Sequence, residues 1–574
     1  MSLRIRTSSD VTTQIDGDKP YYVTTPIFYV NAPPHVGHMY TMVLADVLKR
    51  WQELKGRKAV LLTGTDEHGM KIQQAAARAG VEPKQFCDGG AETFRELAKG
   101  MNMSHDFFIR TTDTQHKEAV EYAWHMLQQR GFIYEKKHEG WYSVSDETFY
   151  PASQIQPAID PMSGRKMTVS METGKEVEWT SERNYHFRLS AFRERLLEFY
   201  ASNPDYIQPK TRLADVVSQV EAGLEDLSIS RPRERLSWGV PVPTDASQTI
   251  YVWLDALLSY ASAVGYPFTP GAEKQGGWPA DVQIIGKDIV RFHCIYWPAM
   301  LMALDIPVHK RILAHAHWTI GKEKMAKSTG NVVSPFFALE RFGVDVMRWY
   351  LIHDGGIAND ADYENAFIIA KYKKHLQNGL GNLTSRIMQN KRWDVARAVK
   401  RYAHPGHQGD EKPSIYHESG QDGARDYGRT RVLPHQVEEK MRQLLPNRAL
   451  QIIMQSVASG NGYLQHRAPW NMVKEMTAAN GGEAPAGDDA AAWKDVDAVV
   501  YLVAENLRLV AIMLQAFIPD AARQQLDLLG VREDRRGWEW CRMGADDDFG
   551  RALWKDGDVD PAKLKLFPGL SSEY

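Results

Sequence analysis

Two histidines three residues apart mark the part of the chain whose residue types could carry out phosphate chemistry. They are His35 and His38, in the stretch Asn31-Ala-Pro-Pro-His-Val-Gly-His38. At the start of a helix they would share a face, beside backbone N–H groups that have no partner inside the helix. Such a helix end binds anions, and the imidazoles could donate to phosphate oxygens, while Gly37 leaves room for a ligand against the backbone. The alternative is a capped helix with two incidental histidines.

A second pair of basic residues lies far along the chain, in Lys324-Met-Ala-Lys-Ser328. Gly321 and Gly330 flank this stretch, which predicts a loop. From such a loop Lys324 and Lys327 could reach the outer phosphates of a nucleotide. Together, the histidine and lysine stretches indicate a nucleotide site far more specifically than either does alone.

The elements around the histidines predict a nucleotide-binding fold. The run from Tyr21 to Val30 is apolar and typical of a buried strand, and Thr41 to Leu54 has its apolar residues at helical spacing. Lys58 to Leu62 predicts the next strand. Such alternation is typical of a doubly wound parallel sheet with ligands at the carboxyl ends of its strands. Asp66 follows the second strand, where its carboxylate could hold a substrate ammonium or simply cap a helix.

Length and composition predict a multidomain protein. The 574 residues suggest roughly three to four domains. The net charge of −3 does not indicate nucleic-acid binding, so any RNA contact would need local basic patches. No apolar run reaches the ~18 residues of a membrane span. The scattered Cys87, Cys294 and Cys541 argue against a disulfide framework or a cysteine zinc knuckle and favour a reducing compartment.

His35-Val-Gly-His38 resembles the first signature of the class I aminoacyl-tRNA synthetases, and Lys324 to Ser328 resembles the second. Ala326 departs from the family pattern, in which serine is common, but both lysines remain. The resemblance implies a Rossmann-like catalytic domain in which the two histidines and two lysines are catalytic. It also implies that ATP binds, with Mg²⁺, through His35, Gly37, His38, Lys324, Lys327 and Ser328.

Two sets of residues are spaced as stripes on helices: Trp253, Ala256, Leu257 and Tyr260, and then Ile289, His293 and Trp297. They fall where the methionine-specific enzymes of this family build their side-chain pocket. Taken alone, each stripe is more typical of a helix packed in the core. The resemblance implies that L-methionine binds through Ile27, Tyr29, Asp66, Trp253, Ala256, Leu257, Tyr260, Ile289, His293 and Trp297. Tyr29 and His293 would offer the weak polar contacts that a thioether sulfur accepts. The separation of the two signatures is too short for the editing domain of the leucine, isoleucine and valine enzymes.

After Val333 the chain becomes mainly helical, and its most basic stretch surrounds Asn382 and Arg386, which are four residues apart on one helix face. Single-stranded RNA is commonly bound by stacking bases on aromatic rings and by hydrogen bonds to base edges. The resemblance implies that Asn382, Arg386 and Trp470 contact the anticodon of tRNA(Met). Without it, Trp470 is more typical of a hydrophobic anchor.

The predicted architecture is an α/β domain split by an insertion and followed by an α-helical bundle. Residues 404–430 are almost bare of aliphatic side chains, which predicts a disordered loop. Residues 134–185 contain no cysteine, so no structural zinc is predicted. The predicted ranges are a tail or targeting remnant at 1–20, the nucleotide-binding fold at 21–130 and 241–345, the insertion at 131–240, a connecting helical segment at 346–375, the anticodon-binding domain at 376–535 and a tail at 536–574.

The combined prediction is an ATP-dependent ligase that activates L-methionine as the adenylate and transfers it to tRNA(Met). One alternative is a catalytically inactive synthetase-like protein that binds tRNA, which would be expected to show decayed signatures. A related nucleotidyltransferase is another, but it leaves the helical half unexplained. The compact chain without zinc is similar to mitochondrial forms, so the mitochondrial matrix is predicted, with the cytoplasm as the alternative. No extra RNA-binding or dimerising domain is recognised, so a monomer is expected.

Overall fold

A computed structural model describes most of the chain. The described ranges are 19–146, 148–160, 163–325, 331–403, 420–486, 491–551 and 565–570.

A seven-stranded parallel sheet forms the centre of the first half of the chain. Its strands are β1 Tyr21–Thr24, β2 Phe28–Tyr29, β3 Ala59–Asp66, β4 Phe107–Arg110, β10 Ile207–Gln208, β15 Val282–Gly286 and β16 Ile312–His315. The order is β10-β16-β15-β1-β3-β2, with β4 also paired to β3, and every pairing is parallel. This is the predicted doubly wound arrangement.

Helices cover both faces of this sheet. They are α1 Val36–Leu54, α2 Met70–Ala79, α3 Pro83–Gly100, α4 Thr114–Gln129, α5 Arg193–Ser202, α6 Lys210–Glu221, α7 Val252–Ser262, α8 Trp297–Leu304, α9 Pro335–Phe342 and α10 Val344–Asp354. Successive strand residues point to opposite faces. Val23 and Leu61 therefore join the core that contains α1 and α10, whereas Tyr22 and Leu62 join the core that contains α4, α7 and α8.

The run from Tyr21 to Val30 forms two short strands, although it was predicted as one. Pro26 lies between β1 and β2 and has no N–H to donate to a ladder. The next strand, β3, continues past its predicted end to Asp66. Gly64 permits this, because a Cβ there would lie 2.1 Å from the carbonyl oxygen of Ile109 on β4. Asp66 is thus carried to the carboxyl edge of the sheet.

The insertion is built from small antiparallel sheets. Its longest pairing joins β5 Ile133–Ser143 to β9 Glu178–Phe187. The other strands are β6 Thr148–Tyr150, β7 Ile155–Ile159, β8 Lys166–Ser170, β11 Leu227–Ser228, β12 Ser230–Pro232, β13 Pro241–Val242 and β14 Asp245–Ile250. The predicted range 131–240 does not match the insertion, because β10 lies inside it yet pairs with β16 of the central sheet, while β13 and β14 lie beyond its end. Two residues are too few to show a strand period in the sequence.

A further small sheet lies beside the carboxyl edge of the central one. It contains β17 Trp318–Ile320, β18 Glu323–Lys324 and β19 Ala361–Asp362. β17 pairs antiparallel with β18 and parallel with β19.

Most of the rest of the described chain is helical. Its helices are α11 Asn365–Lys371, a π-helix Tyr372–Gly381, α12 Asn382–Met388, α13 Val395–Tyr402, α14 Gly420–Arg442, α15 Pro446–Arg467, α16 Pro469–Ala479, α17 Lys494–Leu514 and α18 Pro519–Leu528. The loop predicted at 404–430 is wrong from Gly420 onward, because α14 begins there and buries Thr430 and Leu433. Residues 404–419 lie outside the described part. In the range 536–574, Cys541, Phe549 and Phe567 are buried.

Two absences hold for the described residues. None of their helices combines the length and apolar character needed to cross a membrane. They also contain no group of three or more His, Cys, Asp or Glu side chains suited to holding a metal ion.

Candidate active site

A cavity of about 430 Å³ opens at the carboxyl ends of the central strands. Twelve of the residues proposed from the sequence line it: Ile27, Tyr29, His35, Gly37, His38, Asp66, Trp253, Ala256, Leu257, Tyr260, Ile289 and His293. They come from β2, β3, α1, α7 and the turn after β15. The fold therefore gathers into one space side chains that are more than 250 residues apart in the chain.

One end of the cavity is aromatic and largely uncharged. Helix α7 presents Trp253, Leu257 and Tyr260 to it, and the indole of Trp253 stacks on Phe292 with ring centroids 3.7 Å apart. Leu257 and Tyr260 are almost fully buried. Such a lining suits an apolar, polarisable side chain.

Tyr260 and His293 form a buried hydrogen bond at this end, with 2.7 Å between the phenol oxygen and Nε2. Nδ1 of His293 lies 2.9 Å from the carbonyl oxygen of Ile289 and must carry the proton, since a carbonyl only accepts. Nε2 is therefore the acceptor for the Tyr260 hydroxyl. Burial lowers the pKa of His293 to about 4, which keeps the ring neutral. His293 thus has no proton for a thioether sulfur, which corrects that part of the sequence prediction.

Trp297 is the pocket residue that the structure leaves out of the cavity lining. Residues Phe292–Tyr296 form a π-helical turn, which has more residues per turn than an α-helix. Residues four apart therefore no longer lie on one face, and Ile289, His293 and Trp297 do not form the predicted stripe. The fully buried Trp297 ring packs behind Tyr260, with centroids 6.4 Å apart, and against Trp278. It supports the pocket wall and does not line it.

The two histidines of the first signature cap helix α1. Nδ1 of His35 accepts from the backbone N–H of Gly37 at 3.0 Å, and Nδ1 of His38 accepts from the backbone N–H of His35 at 3.0 Å. A neutral ring whose Nδ1 accepts carries its proton on Nε2. The rings stack with centroids 3.9 Å apart, and both line the cavity. The capping box therefore holds two Nε2–H donors side by side at the cavity wall.

Asp66 lines the cavity, while the two residues after it turn away and brace the strand end. Glu67 is fully buried and paired with Arg110 at 2.6 Å. His68 and His116 bind opposite oxygens of Asp255 on α7, at 2.6 and 2.7 Å. Burial alone would raise the pKa of Asp255, but these two histidines lower it to about 2. The carboxylate therefore ties β3 and α4 to the helix that carries the pocket.

The other end of the cavity contains polar residues that sequence reasoning missed. They are Thr41, Asp288, His315 and His317, and Trp318 and Met325 join them. His315 lies 2.8 Å from the Thr41 hydroxyl, and burial lowers its pKa to about 4. His317 binds Asp288 at 3.1 Å. The signal that could have found Asp288 is its place just after β15, at the carboxyl edge where ligands bind.

The lysine stretch begins at the rim of this polar end. Lys324 belongs to β18, and Met325, the next residue, lines the cavity. Lys327 and Ser328 lie outside the described residues, and so does Ala326. Their proposed contacts remain predictions.

The three residues proposed for RNA lie on the helical half. The guanidinium of Arg386 lies over the Trp470 ring, 5.1 Å from its centroid, and donates to Gln465 at 3.2 Å. Asn382 is exposed at the first turn of α12, one turn before Arg386. Ala468, two residues before Trp470, has φ 44°, a left-handed conformation that orients the start of α16. Arg386 and Trp470 thus form one half-exposed platform.

Comparisons with known proteins agree with this architecture. The family model described as tRNA synthetases class I (M) matches residues 21–388. A Neurospora crassa protein named probable methionine–tRNA ligase, mitochondrial, is 51% identical over 561 residues, which cover 97% of this chain and 87% of that protein. A Rickettsia bellii methionine–tRNA ligase is 39% identical over 520 residues, covering 90% and 94%. A solved Mycobacterium tuberculosis methionyl-tRNA synthetase in complex with methionyl-adenylate matches with a TM-score of 0.82 at 35% identity, covering 96% of this chain and 100% of that one.

Proposed function

The chain belongs to the methionine-specific class I tRNA synthetases, and from that membership we propose which of its residues carry each step. It is an ATP-dependent methionine–tRNA ligase. The methionine carboxylate attacks the α-phosphorus of ATP and pyrophosphate leaves. The 2′-hydroxyl of the terminal adenosine of tRNA then attacks the adenylate carbonyl, the bond from that carbonyl to the phosphate oxygen breaks, and AMP leaves. The observation that carries the assignment of roles is the shared cavity of the His35–His38 pair and the aromatic pocket.

His35 and His38 stabilise phosphate charge in the first step. Their Nδ1 atoms accept from backbone N–H groups, so each neutral ring carries its proton on Nε2, the atom that would donate to a phosphate oxygen. Donors held in place before the reaction lower the barrier without the cost of reorienting. Lys324 and Lys327 bind the β- and γ-phosphates and, with Ser328 and Gly37, complete the ATP site. Mg²⁺ would be held mainly by the phosphate oxygens of ATP and by water, and it would offset the negative charge of the phosphates.

Methionine binds at the aromatic end. Asp66 holds the α-ammonium, and its fixed position depends on the braces made by Glu67 and His68. The methionine side chain is enclosed by seven residues of the aromatic end, which are Ile27, Tyr29, Trp253, Ala256, Leu257, Tyr260 and Ile289. His293 and Trp297 act indirectly, by fixing the Tyr260 hydroxyl and the pocket wall.

The helical half recognises the anticodon of tRNA(Met). The Arg386–Trp470 platform offers a face on which an unstacked base can lie, and Asn382 offers hydrogen bonds to its edge. The names of similar proteins support the mitochondrial matrix as the compartment, with the cytoplasm as the alternative. The proposed unit is a monomer without structural zinc, to be tested by light scattering and metal analysis of the purified protein.

Amino-acid-dependent exchange of pyrophosphate into ATP tests the catalytic assignment. We expect exchange with methionine and none with leucine, isoleucine, valine or cysteine. Lys327→Ala should slow exchange far more than it weakens methionine binding. Equal effects on both would contradict the assigned role.

The anticodon assignment has a separate test. Trp470→Ala should weaken aminoacylation of tRNA and leave exchange intact, and an equal loss in both would count against it. A folded protein that exchanges with no amino acid but still binds tRNA would favour the alternative of an inactive synthetase-like protein.

A further inference from the structure

We propose that Asp362 is a positioning residue for adenylate formation, because it holds the hairpin β17–β18 from which the lysine stretch begins. This inference rests on the proposed role of that stretch in binding ATP. Asp362 is on β19, outside both signatures and outside the cavity lining. It therefore acts through the hairpin and does not touch the reacting groups.

The turn of this hairpin is intrinsically strained. Gly321 and Lys322 connect β17 to β18, and both have left-handed backbones, with φ 59° and 67°. Two such residues in a row form the tight turn that matches strand twist, but a non-glycine residue there costs roughly 1–2 kcal/mol. Lys322 therefore needs compensating contacts to stay in this conformation.

Asp362 supplies those contacts. One carboxylate oxygen, Oδ1, accepts from the backbone N–H of Lys322 at 3.1 Å and from the Thr319 hydroxyl at 2.8 Å. The backbone extends the link, since Tyr363 N–H donates to the Thr319 carbonyl at 2.8 Å. A single carboxylate thus clamps the turn and the strand that leads into it.

The clamped hairpin borders the polar end of the cavity on two sides. Trp318 at the start of β17 lines the cavity, and so does Met325 directly after β18. A shift of the hairpin would therefore move the cavity wall and the base of the lysine stretch together. Misplacing reacting groups by about 1 Å can cost roughly 100-fold in rate.

The position of β19 in the chain makes Asp362 a link between the two halves of the molecule. It lies between α10, which packs under the catalytic sheet, and α11, which continues through the π-helix to Asn382. Asp360, two residues earlier, holds the same chain segment to the sheet edge by accepting from His317 N–H at 2.9 Å and from Lys287 at 2.7 Å. The segment that connects the two halves therefore completes the support of the catalytic hairpin.

Three variants test the proposal by pyrophosphate exchange and thermal unfolding of the full chain. Asp362→Ala should lower kcat about 10- to 100-fold and raise KM for ATP, with KM for methionine within about twofold, because only the hairpin is displaced. Asp362→Asn keeps an acceptor oxygen and should retain most of the activity. Lys322→Gly combined with Asp362→Ala should recover part of the loss, since glycine adopts the left-handed turn without help.

Glu364→Gln is the matched control, an exposed carboxylate on the same segment whose side chain does not cap α11. It should behave as the parent protein does. The proposal is overturned if Asp362→Ala exchanges at the parent rate, or if KM for methionine rises in step with KM for ATP. It is also overturned if Lys322→Gly gives no recovery. Absence of exchange in the parent protein would instead refute the proposed function, so the two failures are distinguishable.

Discussion

The Tyr260 hydroxyl donates to Nε2 of His293 across 2.7 Å, at the buried end of the cavity. The His293 proton is on Nδ1, which donates a hydrogen bond to the Ile289 carbonyl. The Tyr260 hydroxyl is therefore the donor and Nε2 the acceptor in the bond between the two side chains. Both His293 nitrogens are therefore engaged, and no histidine proton is left for the rest of the pocket. A histidine that the sequence presents as a ligand residue is thus a support for a tyrosine.

Stability should fall in mild acid because of buried neutral histidines. Burial lowers the pKa values of His293 and His315 to about 4, whereas an unfolded histidine titrates near its ordinary value of 6.5. The unfolded chain therefore binds more protons between these values, and stability present above pH 6.5 is lost as the pH falls toward 4. At pH 5.5 the loss is about 1.4 kcal/mol for each histidine.

Thermal unfolding of His293→Gln between pH 7.5 and 5.5 checks this expectation. The variant should lose less stability over that range than the parent protein, whatever its stability at pH 7.5. His435→Gln, at an exposed position on α14, should leave the slope unchanged. Identical slopes for the parent and His293→Gln would show that His293 is not held neutral.

Two substitutions at His38 should separate capping from catalysis. Glutamine at this third helical position can still reach back to the backbone N–H of the capping residue, as in an ordinary capping box, whereas alanine cannot. His38→Gln should therefore keep the unfolding temperature but slow pyrophosphate exchange about 100- to 1,000-fold through loss of the Nε2–H donor. His38→Ala should show the same slowing and also lose about 1 kcal/mol of stability. A His38→Gln protein with normal exchange would remove His38 from the catalytic set.

The contact between Arg386 and Trp470 should depend on the planar guanidinium. Arg386→Lys keeps the charge but loses the stacking surface and the fork that reaches Gln465. We expect KM for tRNA to rise about tenfold, in keeping with a cation–π contact worth about 1–2 kcal/mol, while exchange is unchanged. Arg523→Lys, on the exposed face of α18, serves as the matched control. Unaltered aminoacylation kinetics in Arg386→Lys would contradict the platform.

A buried ion pair should stabilise the contact between helix α1, which begins at the first signature, and helix α10, which leads into the helical half. Asp46 of α1 binds Arg348 of α10 at 2.6 Å with both side chains fully buried, and Arg348 also donates to the Phe517 carbonyl at 2.9 Å. Arg348→Met leaves the buried Asp46 carboxylate with Arg50 as its cation, at 2.7 Å, so the variant should cost up to about 3 kcal/mol. The double variant Asp46→Leu, Arg348→Met should lose less than the sum of the single losses. Calorimetric unfolding measures both, and additive losses would show that the two charges do not stabilise each other.

Part of the candidate site follows from local sequence. The spacing of His35 and His38 after a strand and two prolines is sufficient to place both at a helix start, because capping depends only on residues within one turn. The α7 stripe of Trp253, Leu257 and Tyr260 was likewise readable, since a regular helix keeps a period of 3.6 residues. The alternating elements were enough to predict the parallel sheet and the edge at which Asp66 lies.

The remaining features of the site depend on irregular backbone and on partners that are distant in the chain. Trp297 does not lie on the predicted stripe because a π-helical turn changes the helical period. No residue type in that turn indicates the change. The role of His293 depends on its two hydrogen-bond partners. The assignment of β10 to the central sheet depends on its pairing with β16. Local periodicity encodes neither of these contacts. Asp362 became a support for the catalytic hairpin only because a segment about 40 residues further along the chain folds back to pair with β17. Such choices follow from long-range packing and hydrogen bonding, which the order of residue types along the chain does not display.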